Sequence, residues 1–547
     1  MSAFFTRLAQ NRIFCLWVYN TLLLLPSAFI SGDGLGKEFY PLLIVLALCN
    51  HYRRFFWVML PVYLLAPFAL YYEISYRVPP ETSLWLTLLG SSNTETLAYL
   101  GHARYGLALA LLLPYLLLLP FFYRVLPRQP FRLPLIWRLA GIALLYVPIQ
   151  RFYQEKDHVD GYLSLYRHYK LSYPLNFVMG YPAAKIEIGR VKAIVATQQG
   201  MSCSSENSPA GTQAQTVVMV IGESARRDHL SLFGYGPQTS PEMNAYGKQL
   251  WRFGNTIATA FETTGSVPTI LTGQLVGDGN LPPSFLTAFN SAGYKTYWFS
   301  NQAQYGEYDS LVSAYAAAAN QRVFLHQHSY SMSLSTIYDE ALLPYLDGAL
   351  QDPASGKKLI VLHLYGSHPD FSMRFPAAFK RFADPYDNSI LYTDHVLAQI
   401  IGRVQAQGGV STVMYVADHG LNLGQCPGQS YHLDQKSNYE VPMMLWASSA
   451  WRAQNAGLVR RLDAAQPLPL TTETIMPALL TMAHVSCPAL AQEHSLFSPG
   501  VATSLRRVKT FAGVVPYDHS DDNAQCHLAE RQEPAVSKQL VAHVGTP

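Results

Sequence analysis

The sequence contains no C-x-x-C pair and no other cysteine spacing of the kind that holds a metal through thiolates. Nor does it have an excess of one charge. Lys and Arg total 39 against 36 Asp and Glu, a net +3, which gives no electrostatic case for nucleic acid as a partner. Charged residues make up only 14 % of the chain. No internal repeat is apparent, and the 547 residues imply about two to four structural units. What the chain does have is apolar surface, at 49 % hydrophobic and 13 % aromatic residues, most of the excess lying in the first 150. Cys15 and Cys49 sit in those apolar segments and read as packed thiols. Cys203, Cys426, Cys487 and Cys526 lie in the polar part, where an oxidising compartment would allow two disulfides with three possible connectivities.

Four apolar runs, 13–30, 55–72, 105–123 and 133–149, have the length needed to cross a hydrocarbon core of about 30 Å. A shorter run, 39–49, would have to borrow its flanks. The first run has no clear small-residue cleavage site and is followed by further spans, so it reads as a retained helix rather than a signal peptide. Arginine placement settles the short run. Arg7 and Arg12, Arg53 and Arg54, and Arg124, Arg128 and Arg132 form three dense groups, whereas the long loop 73–104 has only Arg77 and Arg104 near its ends. Five spans place every dense group on the cytoplasmic side; four do not. Residues 1–150 are therefore expected to form a five-helix transmembrane domain with its N-terminus inside. The fifth exit delivers the rest of the chain to the outer side of the membrane, which is the periplasm if the cell is Gram-negative.

Residues 151–215 mix Phe152, Tyr153, Tyr162, Tyr166 and Tyr169 with charge, then turn rich in Ser, Gly, Thr and Gln. They read as interfacial helices and a linker. From Thr216 short apolar runs alternate with longer amphipathic stretches. The runs 216–221, 294–299, 359–364, 410–417 and 441–446 each suit a buried strand, which implies an α/β domain with a largely parallel sheet over 216–500. Residues 501–547 are polar and largely without periodicity, and no element is assigned to that tail.

Ligands in such sheets bind beyond the carboxyl ends of the strands. The first strand empties into Gly222-Glu223-Ser224-Ala225-Arg226-Arg227, the third into Tyr365-Gly366-Ser367-His368-Pro369, and the fourth into Asp418-His419-Gly420; His432 follows thirteen residues later. Carboxylates and imidazoles at adjacent strand ends form a candidate divalent-metal site, and mixed nitrogen and oxygen ligation suits zinc. A metal-bound hydroxyl could act as a nucleophile near neutral pH. The segment 256–272 offers Thr256, Thr259, Thr263, Thr264, Ser266, Thr269 and Thr272, among which spacing alone does not choose.

The run from Val218 to Tyr235, with Gly-Glu-Ser-Ala-Arg-Arg-Asp-His at its centre and Thr239-Ser240-Pro241 beyond, resembles the signature of the phosphoethanolamine transferases of the alkaline-phosphatase/sulfatase superfamily. The resemblance implies a five-span membrane domain and an external α/β domain like that of sulfatases. It implies that Glu223, Asp418 and His419 bind zinc, and that Thr263, opening Thr263-Thr264-Gly265-Ser266-Val267-Pro268, is the nucleophile and a further metal ligand. By the same resemblance His368, His432, Asn301 and Gln302 lie on the substrate side, and Asn93 and Glu95 of the long outer loop help to hold the lipid donor.

Two departures stand out. Leu421 replaces the glutamate of the usual Asp-His-Gly-Glu motif, and the spacing to His432 is one residue longer, around Cys426-Pro427-Gly428. Together with residues 298–309 and 359–369, Asp-His-Gly-Leu is similar to the branch that decorates osmoregulated periplasmic glucans. The expected activity is transfer of phosphoethanolamine from phosphatidylethanolamine to a sugar hydroxyl, by a monomer held among membrane lipids, through a phosphoethanolamine-threonine intermediate. The rival expectations are a lipid A or core lipopolysaccharide acceptor, glycerol-phosphate transfer of the lipoteichoic-acid-synthase type, and an inactive envelope sensor or scaffold.

Overall fold

A computed structural model of the protein describes residues 51–76, 105–125, 175–197, 201–206, 213–275, 282–305, 310–328, 336–353, 356–427, 429–488, 495–498, 501 and 505–531, with a few single positions between 82 and 166. The chain divides into two compact units, one consisting mostly of residues 1–190 and the other mostly of residues 191–547. The division falls later than the end of the expected membrane domain at 150 and before the end of the expected linker at 215.

In the first unit, α1 (Tyr52–Tyr76) and α2 (Tyr105–Val125) contain two of the five expected spans. The stretch Arg53–Tyr72 is the one described helix long and apolar enough to cross a membrane; Tyr105–Leu117 is apolar but shorter. The expected spans 13–30 and 39–49 lie outside the described residues, and 133–149 is described only at isolated helical positions. Phe55, Phe56, Met59 and Tyr63 of α1 pack with Leu119 of α2. The outward faces are apolar as well, with Trp57, Leu64 and Phe68 on α1 and Leu109, Leu113 and Leu117 on α2 all exposed. Helices apolar on every side are what a hydrocarbon surrounding calls for. Pro61, Pro67, Pro114 and Pro120 lie inside these two helices. A further helix, α3, covers Leu175–Thr197.

The second unit is built on a seven-stranded sheet. Its strands are β1 (Gln215–Gly222), β2 (Leu250–Phe253), β3 (Lys295–Tyr305), β4 (Gln321–His328), β5 (Lys357–His363), β6 (Val410–Ala417) and β7 (Met443–Ala447). They lie in the order β2-β7-β6-β1-β5-β3-β4. All five strands expected from the sequence are present. β1 pairs in parallel with both β5 and β6, and β3 pairs in parallel with β5, whereas β7 runs antiparallel to β6 and β2 antiparallel to β7. The middles of the central strands are buried apolar runs, as expected of strands in a parallel sheet. Val217, Val218, Met219, Val220 and Ile221 are all essentially inaccessible to water. Two further helices frame the site, α4 (Thr263–Thr272) and α5 (Pro385–Gln407). α5 starts on Pro385, and the Asp384 side chain accepts the Tyr386 amide at its N-terminus.

The tail left unassigned from sequence is folded over 505–531. It forms two hairpins, β8 (Arg507–Thr510) with β9 (Gly513–Pro516), and β10 (Ser520–Asp522) with β11 (Leu528–Glu530). Val508, Tyr517 and Leu528 bury themselves against Ile257, Phe261 and Tyr439. The four polar-half cysteines pair as Cys203–Cys487 and Cys426–Cys526. The second bond ties the Asp418–His432 loop to the second hairpin.

Candidate active site

Three strands that are neighbours in the sheet supply the site. Glu223 follows β1, Asp418 and His419 follow β6, and His368 lies beyond β5. The ladder continues past the strand ends: the Asp418 amide donates to the Gly222 carbonyl at 3.0 Å, and the Ser367 amide to the Glu223 carbonyl at 3.0 Å. Gly366 makes this approach feasible. It sits at φ +48°, and a Cβ there would lie 2.7 Å from the Glu223 carbonyl oxygen. Thr263 arrives from a different element, as the first residue of α4.

The Thr263 hydroxyl sits where these groups converge. Its Oγ1 donates to Asp418 Oδ2 at 2.9 Å, and lies 3.2 Å from Glu223 Oε2 and 3.3 Å from His419 Nε2. The surrounding bonds hold each ligand atom in place. Asp418 Oδ1 accepts the backbone amides of Ser224 at 3.0 Å and His419 at 2.8 Å, which leaves Oδ2 facing the threonine. Glu223 Oε2 accepts Gln302 Nε2 at 2.9 Å, and Ser224 Oγ donates to Glu223 Oε1. His419 Nδ1 lies 2.8 Å from the Gly420 carbonyl. A carbonyl only accepts, so that nitrogen carries the proton and Nε2 presents a lone pair to the site. Ser266, one turn into α4, donates its hydroxyl to the Asp418 carbonyl.

One ligand atom each from Glu223, Asp418 and His419 lies within 4.8 Å of the others, and all three residues are buried. Two carboxylates this close, away from water, repel. Burial, and then the negative charge of Glu223, push the Asp418 carboxyl upward. Burial acts most strongly and would raise Glu223, but His419, His368 and the hydrogen bonds from Ser224 and Asp418 together outweigh it and hold that carboxyl below its usual range. For His419, burial is outweighed by Asp418 and Glu223, and the imidazole is pushed upward. A cluster that takes up protons to offset its own negative charge is one that a divalent cation fits, and the O, O, N donor set suits zinc.

His432 meets His419 edge-on, with ring centroids 5.1 Å apart. The longer spacing before it is accommodated where Cys426 bonds to Cys526. Burial, and then the charge on His419, push the His432 imidazole down to about 3. His368 is also lowered, chiefly by burial. Leu421, in place of a carboxylate, is fully buried in the main core, and its carbonyl accepts Arg226. The position contributes packing where the usual motif has a charge.

Asn301 and Gln302 are held by hydrogen bonds to neighbouring residues. Both were expected against substrate, and both amides point inward. Asn301 donates to Asp339 Oδ1 at 2.9 Å and to the Ile337 carbonyl at 3.2 Å, with no exposed surface. Gln302 bridges Glu223 and the Leu364 carbonyl. Sequence reasoning missed Asp339, whose carboxylate accepts the amides of Tyr365 at 2.7 Å and Gly366 at 2.9 Å and so shapes the turn before His368. A lone Asp 26 residues before the turn it serves carries no spacing signal. Buried Arg374, stacked 3.9 Å over the Tyr365 ring, was missed for the same reason. Asn93 and Glu95 lie outside the described residues.

Comparison with known proteins places this geometry. Residues 215–484 match the Sulfatase family. The chain is 34 % identical over 243 residues to phosphoethanolamine transferase OpgE of Escherichia coli K12, covering 43 % of this chain and 46 % of that protein. It is 26 % identical over 362 residues to phosphoethanolamine transferase EptC of the same organism, covering 59 % and 62 %. The matches thus span about half to three-fifths of these relatives. The C-terminal periplasmic domain of E. coli EptC in complex with Zn shares the fold, at a TM-score of 0.52 and 24 % identity, over 58 % of this chain and 96 % of that domain.

Proposed function

From a sulfatase-type domain whose relatives are phosphoethanolamine transferases, we propose that this chain moves phosphoethanolamine from phosphatidylethanolamine to a hydroxyl of an envelope glycan or glycolipid. A periplasmic glucan is the favoured acceptor. The observation that carries the proposal is the placement of the Thr263 hydroxyl within 3.3 Å of Asp418, Glu223 and His419 at once. Among the seven hydroxyl candidates of the 256–272 segment, Thr263 is the one that reaches Glu223, Asp418 and His419 together.

In the first half-reaction Thr263 Oγ attacks the phosphorus. Its proton departs toward Asp418 Oδ2, the bond from phosphorus to the diacylglycerol oxygen breaks, and diacylglycerol leaves with a proton. In the second, an acceptor hydroxyl attacks the phosphorus of the phosphoethanolamine-threonine, and Thr263 recovers its proton. Glu223, Asp418, His419 and Thr263 would hold a zinc ion, which lowers the pKa of a bound hydroxyl and offsets charge on the transferring group. The N-terminus of α4, where Thr263 sits, adds a favourable dipole for a developing oxyanion. His368 and His432, kept neutral, offer ring N–H groups to phosphate oxygens. Gln302 and Asn301 act one step back, through Glu223 and Asp339.

The reading sets the chain in the bacterial inner membrane with five spans and the catalytic unit in the periplasm. The Arg53–Tyr72 helix supports it, as do two disulfides, which persist in oxidising compartments. Asn93 and Glu95 are assigned to the donor side. Intact-mass measurement after incubation with phosphatidylethanolamine tests the chemistry. The wild type gains one phosphoethanolamine and Thr263→Ala gains none; an adduct on the mutant would overturn the assignment.

A further inference from the structure

One carboxylate beside the nucleophile has no part in the metal cluster. Glu262 immediately precedes Thr263 and is partly exposed. Its backbone is extended, and its carbonyl accepts the Gly265 amide at 3.2 Å and the Ser266 amide at 3.0 Å, which open α4. A residue at this place commonly spends its side chain on a free amide of the first turn. Glu262 does not. Its Oε1 instead accepts the Thr264 hydroxyl at 2.9 Å, and that is its one side-chain hydrogen bond or ion pair among the described residues.

Other acids around the site are committed. Glu223 and Asp418 face Thr263, and Asp339 accepts the Tyr365 and Gly366 amides. Asp434 pairs with His527, and Glu440 with Arg227. Leu421 stands where the usual motif would add a further acid. The charge of Glu262 nevertheless reaches the site. Burial acts to lower the His419 imidazole, and Asp418, Glu223, the Gly420 carbonyl and then Glu262 act to raise it.

A carboxylate without a cation is adverse here, because the neighbouring hydroxyl must meet an anionic phosphodiester and like charges at close range repel. A donor that brings its own cation reverses the sign. In phosphoethanolamine only the ester oxygen and two carbons separate the ammonium from phosphorus, so it comes to rest beside whatever flanks the nucleophile. We propose that Glu262, oriented by Thr264, receives the ammonium group of the donor and so selects a zwitterionic headgroup over an anionic one. The inference rests on the proposed transfer of phosphoethanolamine and names the residue that would read its amine.

The test uses the full chain in detergent with zinc, and reads the rate of phosphoethanolamine adduct formation from phosphatidylethanolamine by intact mass. Phosphatidylethanol, which has the same ester but no amine, is added as a competitor, so its affinity is read whether or not it reacts. Glu262→Gln keeps an acceptor for Thr264. It should raise the phosphatidylethanolamine concentration for half-maximal rate about ten-fold and leave the zinc content unchanged. Phosphatidylethanol should then compete as well as against the wild type, or better. Asp370→Asn, at an exposed acid on the loop after His368, should match the wild type throughout. An unchanged half-maximal concentration in Glu262→Gln would overturn the inference. An equal weakening of both lipids, or a fall in zinc content, would also sink it, by marking a role in the shape of the site or in metal binding. A loss of preference in Asp370→Asn would move the ammonium to that loop instead. If the wild type forms no phosphoethanolamine adduct at all, the functional reading fails and takes the inference with it.

Discussion

Two imidazoles 5.1 Å apart, those of His419 and His432, are driven in opposite directions. His419 looks onto Asp418 and Glu223, whose charge outweighs burial and raises it. His432 looks onto His419, and burial together with that neighbour takes it down to about 3. His368 is lowered too. One side of the site is therefore built to hold positive charge and the other to stay neutral. A phosphodiester placed between them would meet a cation on one side and uncharged N–H donors on the other. The same residue type thus serves two purposes, decided by what faces it.

The strongest way to break this comparison is to remove the charged side. Thr263→Ala should lower transfer by about a thousandfold or more, and Asp418→Asn by a similar factor, because residues acting as one unit fail together. Steady-state transfer of labelled phosphoethanolamine measures both. Metal removal comes next. Chelation should abolish transfer and lower the melting temperature, since Glu223 and Asp418 are then left facing one another, and added zinc should restore both. Gln302→Leu is expected to cost roughly ten- to a hundredfold in kcat or in metal affinity, acting only through Glu223. An unchanged kcat together with an unchanged zinc titration would return Gln302 to a purely structural role.

The neutral side predicts a pH effect. Unfolded His432 takes a proton near 6.5 and folded His432 only near 3. Between those values the unfolded chain binds more protons, so stability falls as pH falls through that window. Melting curves of His432→Asn from pH 7 to pH 4 should show a shallower decline than wild type. The smallest effect on catalysis is expected from Cys526→Ser. It frees the second hairpin from the His432 loop, should lower the melting temperature by several degrees, and should leave the Thr263 adduct intact.

What the residues disclosed depended on how local the signal was. The five core strands were legible because buried strands, parallel or not, are largely apolar runs, and Glu223, Asp418 and His419 followed from standing directly after two of them. The choice of Thr263 over Thr264 was not legible from spacing and rested on resemblance. The geometry supports it through one contact set that α4 alone could not reveal. Gln302 was expected on the substrate side, and its bond to Glu223 was not legible because the two lie 79 residues apart in the chain. Asp339 and Arg374 left no trace. The folded hairpins of 505–531 escaped because their strands are only three or four residues long and take their apolar contacts from Phe261 and Tyr439.

The order in which the cysteines are made has its own consequence. Cys203 and Cys426 both pair with residues encoded downstream, 284 and 100 positions later. While a chain threads vectorially into an oxidising space, there is an interval after Cys426 emerges and before Cys487 does. During that interval the only partner for Cys203 among the four is Cys426, and that bond is not native. On the proposed periplasmic placement, maturation would call for either restraint of early oxidation or a thiol exchange to undo it. Overproduction in cells short of disulfide isomerase should accumulate the Cys203–Cys426 species.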